Sequence, residues 1–129
     1  MKRIAIFGST GSVGVQSLSV INQNNDQFKL ICLSCNGNAD LLFKQTKHFM
    51  PEKIAINVLD INHPLRSFCK KNNIELITGN NSSNLLSAYK NVDLVINSIV
   101  GTDGLVPTLN TVNNNIDLAL SNKDRKSVV

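Results

Sequence analysis

The feature that most constrains the fold is a glycine-rich turn near the amino terminus, within the stretch MKRIAIFGSTGSVG (residues 1–14). Before the turn stands an apolar run, Ile4 to Phe7, with the length and β-branched content of a buried parallel strand. After it, Val15 and Leu18 begin a series of apolar residues at helical spacing. A strand, a turn and a helix in this order leave backbone N–H groups and the positive end of a helix dipole over the turn. The stretch therefore predicts an anion-binding site made of backbone.

The spacing of the three glycines narrows the kind of anion. Gly8, Gly11 and Gly14 form G-x-x-G-x-x-G, a variant of the fingerprint of dinucleotide-binding proteins. Glycine is suited to a turn where a Cβ would block the approach of a diphosphate, and Thr10 and Ser12 add hydroxyl donors. The phosphate-binding loop of nucleoside triphosphatases fits badly, because neither Lys-Ser nor Lys-Thr follows Gly14. We predict a dinucleotide site, with a turn that serves only packing as the alternative.

Strand-like and helix-like segments alternate along the chain. Strands are predicted at residues 4–7, 28–34, 53–57, 74–78, 92–96 and 116–120, with five helices between them. The second helix carries Leu42 and Gln45, and the third is expected to have Asp60 or Asn62 as its cap. This alternation predicts an α/β fold, a doubly wound parallel sheet of the Rossmann type with about six strands and helices on both faces. The simplest strand order is 3-2-1-4-5-6.

Ligands of such sheets bind outside the carboxyl ends of the strands. Four polar segments are predicted at that rim and are interpreted as one site: residues 8–14, 36–38, 97–104 and 122–124. The segment after the second strand selects between the two nicotinamide dinucleotides, since an acidic residue about 20 positions after the glycine turn would bind the ribose 2′-hydroxyl of NAD. Residues 34–38 read Ser-Cys-Asn-Gly-Asn, without a carboxylate. NADP is therefore favoured.

Composition and sequence pattern argue against several other classes of protein. With 129 residues the chain fits one domain, and it has neither a recognisable signal peptide nor an apolar run of about 18 residues, so no membrane partner is expected. The net charge of +4 comes from scattered lysines, which argues against nucleic acid as a partner. Three cysteines suggest reduced thiols in the cytoplasm. Cys32 and Cys35 form C-x-x-C, but inside a predicted strand and without matching zinc ligands, so we expect core packing rather than redox or metal chemistry.

Three motifs together resemble the 1-deoxy-D-xylulose 5-phosphate reductoisomerase family. They are GSTGSVG, INSIVGTDGLVPTL (Ile96 to Leu109) and ALSNKD (Ala119 to Asp124), which occur in the order found in that family. The resemblance spans essentially the whole chain but only the amino-terminal, NADPH-binding domain of the family. It implies that residues 1–129 are that domain, with the catalytic and carboxyl-terminal domains absent.

Enzymes of this family isomerise 1-deoxy-D-xylulose 5-phosphate and reduce the product with NADPH to 2-C-methyl-D-erythritol 4-phosphate, for isoprenoid synthesis, with Mg²⁺ or Mn²⁺ bound. The resemblance implies that the NADPH diphosphate is bound by Thr10, Gly11, Ser12 and Val13, and its 2′-phosphate by Asn36, Gly37 and Asn38. It also implies that Asn122 and Asp124 face the cofactor and that Lys123 reaches the phosphorylated sugar substrate. Catalytic residues and metal ligands are expected to lie outside this chain, and a homodimer is expected of the full-length protein.

Two departures from the family pattern concern the site. The turn after the second strand has Gly37 where the family usually has Lys or Arg, which removes a cation beside the 2′-phosphate. Arg125 and Lys126 stand before Ser127, where the family continues directly with Ser-Leu-Val. Two alternatives stay open: a non-catalytic dinucleotide sensor, and the nucleotide domain of another reductase similar to aspartate-semialdehyde dehydrogenase.

Overall fold

The computed structural model describes residues 1–80, Ser82, Leu86, residues 89–98 and the backbone of 117–120. Within these residues the strands are β1 (Lys2–Phe7), β2 (Phe28–Cys35), β3 (Lys53–Ile56), β4 (Glu75–Thr78), β5 (Leu94–Asn97) and β6 (Asp117–Leu120). The helices are α1 (Ser12–Gln23), α2 (Ala39–Phe49) and α3 (Pro64–Lys71). The predicted α/β alternation is confirmed over this part of the chain. The helices predicted around residues 82–89 and 103–112 lie largely outside the described residues.

All six strands form one parallel sheet in the order β4-β3-β2-β1-β5-β6. The predicted doubly wound fold is confirmed, but the predicted strand order was wrong. That order placed strand 4 beside strand 1, whereas β4 pairs with β3 at the edge and β5 pairs with β1. The direction of winding therefore reverses after β4, one strand later than predicted.

The position of β4 follows from the face on which α3 packs. Leu65 and Cys69 of α3 are buried in the same core layer as Leu18 of α1 and Leu42 of α2. Because strand–helix–strand crossovers are right-handed, three successive helices on one face carry the chain outward from β1 to β4. The half-exposed strand Glu75–Thr78 ends this series at the edge of the sheet.

The second face of the sheet has its own apolar layer. It contains Phe7, Ile31 and Ala55 from the strands, together with Leu86 and Val92 from the segment that returns to β5. The sheet is thus buried on both sides, which explains why its central strands are almost wholly apolar.

The three cysteines are free and buried, as predicted. Cys32 belongs to the apolar layer that contains Phe7, whereas Cys35 belongs to the layer on which α1, α2 and α3 pack. The two thiols of the C-x-x-C therefore lie on opposite faces of the sheet. Burial raises the pKa of Cys32 to about 12 and that of Cys69 to about 11, so both thiols stay protonated at neutral pH.

The cap of α3 differs from the prediction of Asp60 or Asn62. The residue at that position is His63, whose Nδ1 accepts a hydrogen bond from the Leu65 N–H at 3.0 Å. His63 Nε2 lies 2.9 Å from Asp40 Oδ1, which ties the start of α3 to the first turn of α2. Pro64 occupies the first turn, as predicted. No helix among those described is long and apolar enough to cross a membrane.

Candidate functional site

The glycine turn begins where β1 ends, and it is fixed first by β2. Gly8 has a φ of 83°, a left-handed conformation that favours glycine. The N–H groups of Gly8 and Ser9 both donate to the Ser34 carbonyl, at 2.9 and 2.8 Å. The turn is therefore bonded to the neighbouring strand rather than projecting freely into solvent.

Gly14 and Gly11 have different surroundings. A Cβ at Gly14 would lie 2.2 Å from the Gly8 carbonyl oxygen and 2.6 Å from Ser9 Cα, so glycine is required there for α1 to pack against the turn. A Cβ at Gly11 would lie 3.7 Å from the Gly8 oxygen, an ordinary contact, and the φ of Gly11 is −78°. Neither packing nor backbone conformation within the described residues demands glycine at position 11.

The start of α1 has the character of an anion site. Gly11 is the N-cap, no side chain caps the helix, and the first turn contains no acidic residue. Gly11 and Ser12 are exposed, and Thr10 and Val13 are half-exposed. The first N–H groups of a helix have no partner within the helix, and the dipole adds partial positive charge. The N–H of Gly11 donates to the Gly8 carbonyl at 3.3 Å, inside the turn. The backbone donors that suit a phosphate oxygen are therefore those of Ser12 and Val13 at the helix start, with Thr10 beside them.

Two side chains outside the glycine turn also hold it, and one of them, Ser98, lies in a segment predicted for the site. Ser9 Oγ donates to Gln45 Oε1 at 2.8 Å, and Gln45 Nε2 donates to the Ser9 carbonyl at 2.9 Å. Ser98 Oγ contacts the carbonyls of Phe7 and Gly8 at 2.8 and 2.9 Å. The sequence feature that could have identified Gln45 is its position three residues after Leu42, on the face of α2 that packs inward. Ser98 lies within the predicted polar segment 97–104.

The second predicted phosphate-binding segment, residues 36–38, follows β2 and is exposed. Asn36 Oδ1 accepts from Asn57 Nδ2 at 2.9 Å, and its carbonyl accepts from the N–H groups of Asn57 and Val58. Asn38 Oδ1 caps α2 by accepting from the Leu41 N–H at 3.3 Å. Both asparagine oxygens thus serve the protein itself. Between them lies Gly37, where an added Cβ would meet nothing within 4 Å.

Cys35 connects the two segments that are predicted to bind phosphate. Its Sγ contacts the Asn38 carbonyl at 3.9 Å and is hydrogen-bonded by the Thr10 side chain. Burial raises the pKa of Cys35 to about 11, against the opposing effect of that hydrogen bond. The thiol is therefore protonated at neutral pH and acts as a packed link between the glycine turn and the segment 36–38.

The remaining predicted site residues lie outside the described part of the chain. These are Asn122, Lys123 and Asp124, together with most of the predicted rim segment 97–104. Asn97 is buried at the end of β5, with 2% exposed. Among the described residues no three His, Cys, Asp or Glu side chains come together as metal ligands.

Comparison with known proteins agrees with this geometry. The family model for 1-deoxy-D-xylulose 5-phosphate reductoisomerase matches residues 4–127. Curated relatives with that name include those of Buchnera aphidicola subsp. Acyrthosiphon pisum (39% identical over 126 residues) and Thermoanaerobacter pseudethanolicus (37% over 124 residues). In both cases the alignment covers 96% of this chain but only 32% of the relative. The chain thus spans about a third of the length of these relatives.

Solved structures show the same relationship. A DOX-P reductoisomerase in complex with NADPH, fosmidomycin and magnesium superposes with a TM-score of 0.85 at 26% identity, covering 96% of this chain and 31% of that one. The enzyme from Zymomonas mobilis in complex with NADPH has a TM-score of 0.85 at 24% identity and shows the common fold. These matches do not support the alternative of an aspartate-semialdehyde dehydrogenase-like protein. The chain belongs to the 1-deoxy-D-xylulose 5-phosphate reductoisomerase family.

Proposed function

We propose that residues 1–129 are the NADPH-binding domain of a longer 1-deoxy-D-xylulose 5-phosphate reductoisomerase, with the dinucleotide lying across the glycine turn. The observation that carries this proposal is the start of α1, which lacks a side-chain cap and an acidic residue and begins at an exposed Gly11. Thr10, Gly11, Ser12 and Val13 would contact the diphosphate there. A solved relative bound to NADPH supports the choice of ligand.

The preference for NADPH over NADH rests on the segment after β2. Residues 34–38 contain no carboxylate that would bind a ribose 2′-hydroxyl or repel a 2′-phosphate. We assign the 2′-phosphate to Asn36, Gly37 and Asn38. Because Gly37 provides no cation, the contacts to this phosphate come from backbone N–H groups and amides, and the preference should be moderate rather than absolute.

In the full-length protein the bound cofactor supplies hydride for the reduction of the isomerised sugar phosphate. Asn122 and Asp124 would face the cofactor, and Lys123 would contact the anionic substrate as a point charge. A solved relative is a complex with magnesium, but the described residues of this chain offer no group of ligands for that ion. We therefore assign no catalytic residue and no metal ligand to the described part of this chain.

The wider cellular setting is also a proposal. Three free, buried cysteines favour a reducing compartment, which we take to be the cytoplasm. A homodimer of the full-length protein follows from the family resemblance alone. We propose neither nucleic acid nor a membrane as a partner, because the lysines are scattered. Light scattering of the full-length protein would test the oligomeric state.

Calorimetric titration of the purified chain with NADPH and with NADH tests the proposed function. We expect saturable binding of NADPH at one site and weaker binding of NADH. Equal affinities would refute the assignment of the segment 36–38, whereas the absence of binding by either dinucleotide would refute the assignment of the glycine turn.

A further inference from the structure

Gln45 is the side chain through which α2 holds the glycine turn. Its amide bonds Ser9 twice, since Oε1 accepts from Ser9 Oγ at 2.8 Å and Nε2 donates to the Ser9 carbonyl at 2.9 Å. The two bonds close a ring between one side chain and one residue of the turn. Such a reciprocal pair fixes orientation as well as distance.

Burial makes this pair costly to break. Ser9 is fully buried and Gln45 is 7% exposed, so a lost partner would leave a carbonyl or a hydroxyl without a hydrogen bond and away from water. The other hydrogen bonds that hold the turn involve different atoms. The Ser34 carbonyl accepts from the N–H groups of Gly8 and Ser9, and Ser98 Oγ contacts the carbonyls of Phe7 and Gly8. Only the bond from Gln45 reaches the Ser9 carbonyl among the described contacts.

Ser9 immediately precedes the residues assigned to the diphosphate. Rotation of the peptide that joins Ser9 to Thr10 would turn the Ser9 carbonyl and the Thr10 N–H together, because the peptide unit is planar. The bond from Gln45 Nε2 therefore fixes the direction in which the Thr10 N–H points. It also ties the turn to α2, the helix that Asn38 caps at the other phosphate-binding segment.

We propose that Gln45 is a positioning residue for dinucleotide binding, which orients the Ser9–Thr10 peptide toward the diphosphate without touching the ligand itself. The inference rests on the proposed function, since it takes the glycine turn as the diphosphate site. Its specific content is that α2 sets the geometry of the turn through one amide.

The test uses three variants of the chain and one control. Gln45→Met keeps the size of the side chain but removes both hydrogen bonds, Ser9→Ala removes only the hydroxyl, and the double variant completes a cycle. Thr46→Val is the control, because Thr46 is fully buried in the same helix but its hydroxyl donates to the Leu42 carbonyl of α2 and not to the turn. Each protein is titrated with NADPH and with adenosine 2′-monophosphate, which has no diphosphate, and its urea unfolding is measured.

We expect Gln45→Met to weaken NADPH binding about tenfold and Ser9→Ala to weaken it less. The double variant should lose no more than Gln45→Met does. Affinity for adenosine 2′-monophosphate should change less than about twofold in every variant, and Thr46→Val should bind NADPH as the wild type does.

A Gln45→Met variant that binds NADPH normally would overturn the inference, and so would an equal loss of affinity for both ligands, which indicates general loosening of the fold. If Gln45→Met fails to fold, Ser9→Ala decides, because the Ser9 hydroxyl holds the Gln45 amide in the orientation that brings Nε2 to the Ser9 carbonyl. A selective loss of NADPH affinity then supports the inference, and unchanged affinity overturns it. Failure of the wild type to bind NADPH would instead refute the proposed function, so the two failures are distinguishable.

Discussion

At the scale of single residues, the glycines of the turn differ in what requires them. Gly14 is required by packing, because any Cβ there would collide with the backbone of Gly8 and Ser9. Gly11 has room for a side chain and ordinary dihedral angles. The sequence motif could not separate the two roles, since the spacing alone shows neither the neighbours of a Cβ nor the direction from which a ligand approaches.

Substitution of Gly11 by valine separates ligand binding from folding. Gly11→Val should lower the affinity for NADPH by at least about a hundredfold, because its branched side chain occupies the space above the helix start that the diphosphate needs. The fold should persist with a small loss of stability at the N-cap. Calorimetry and urea unfolding check the two effects, and normal NADPH binding would place the ligand elsewhere.

Gly14→Ala is the matched comparison. The contact of 2.2 Å with the Gly8 oxygen requires a backbone shift, so we expect a loss of about 1–3 kcal/mol in the free energy of unfolding. Urea unfolding with circular dichroism measures it. Stability equal to that of the wild type would contradict the close packing of α1 against the turn.

Gly37→Arg tests the 2′-phosphate assignment. An added Cβ meets nothing within 4 Å, so the side chain fits, and its guanidinium would lie beside the phosphate. We expect NADPH binding to tighten by about tenfold and to become more sensitive to salt, while NADH binding changes little. Gly37→Gln supplies length without charge. If Gly37→Arg tightened NADH binding equally, or if Gly37→Gln tightened NADPH binding as much as Gly37→Arg does, the result would argue against a phosphate at this turn.

At the scale of elements, a polar cluster joins three segments at the amino ends of the strands, opposite the site. Arg3 Nη2 lies 2.9 Å from Glu52 Oε2, and Tyr89 donates to Glu52 Oε1 at 2.7 Å. Arg3 Nε also donates to the Asn91 carbonyl at 2.9 Å. The cluster links β1, the residue before β3 and the segment before β5. It therefore connects β1 to the segments that lead into β3 and β5.

The same cluster predicts acid sensitivity. The hydrogen bond from Tyr89, followed by that from Arg3, lowers the pKa of Glu52 from its ordinary 4.5. A lowered pKa contributes stability that is present above pH 4.5 and lost as the pH falls through the lowered value. Glu52→Gln should remove this component of acid destabilisation, and Tyr89→Phe should reduce it, each by less than about 1 kcal/mol because Glu52 is partly exposed. Urea unfolding at a series of pH values measures it; identical slopes below pH 4.5 would contradict the assignment.

The helices and strands with strong apolar periodicity could be predicted from the sequence. Which strands pair with one another, and which residues cap the helices, could not. The positions of β1, α1 and β2 follow from apolar runs and glycines, although β1 begins at Lys2, two residues earlier than predicted. The order of the strands could not be predicted in this way. The sequence of β4, ELIT, has only two apolar residues, a composition that suits a strand at the edge of the sheet. The predicted caps of α3 were wrong because the His63 ring, which also contacts Asp40, accepts the Leu65 N–H. Such pairings depend on tertiary contacts that spacing does not encode.

At the scale of the whole molecule, the predicted site depends on the corrected strand order. Because β5 rather than β4 borders β1, Ser98 after β5 contacts the carbonyl of Gly8 directly. The carboxyl ends of β1, β2 and β5 thus bring together the glycine turn, the segment 36–38 and the start of the third polar segment. This shared rim is why one dinucleotide can be expected to reach all three.

The chain by itself is expected to have no turnover. Given NADPH, Mn²⁺ and 1-deoxy-D-xylulose 5-phosphate, it should consume no NADPH above background, because the described residues include no group of ligands that would position a metal with the substrate. Absorbance of NADPH followed over time measures this. Turnover that disappears in Lys123→Ala would show that a reaction centre lies within these residues.

The central claim is that NADPH lies across the glycine turn and the segment after β2. Amide resonances of the isotope-labelled chain, followed by NMR during titration with NADPH, test it most directly. We expect the largest shifts at Thr10, Gly11, Ser12 and Val13 and at Gly37, with little change at Asn25 and Glu52, which lie at the amino ends of the strands. Shifts centred on the amino ends of the strands, with the glycine turn unaffected, would contradict the central claim.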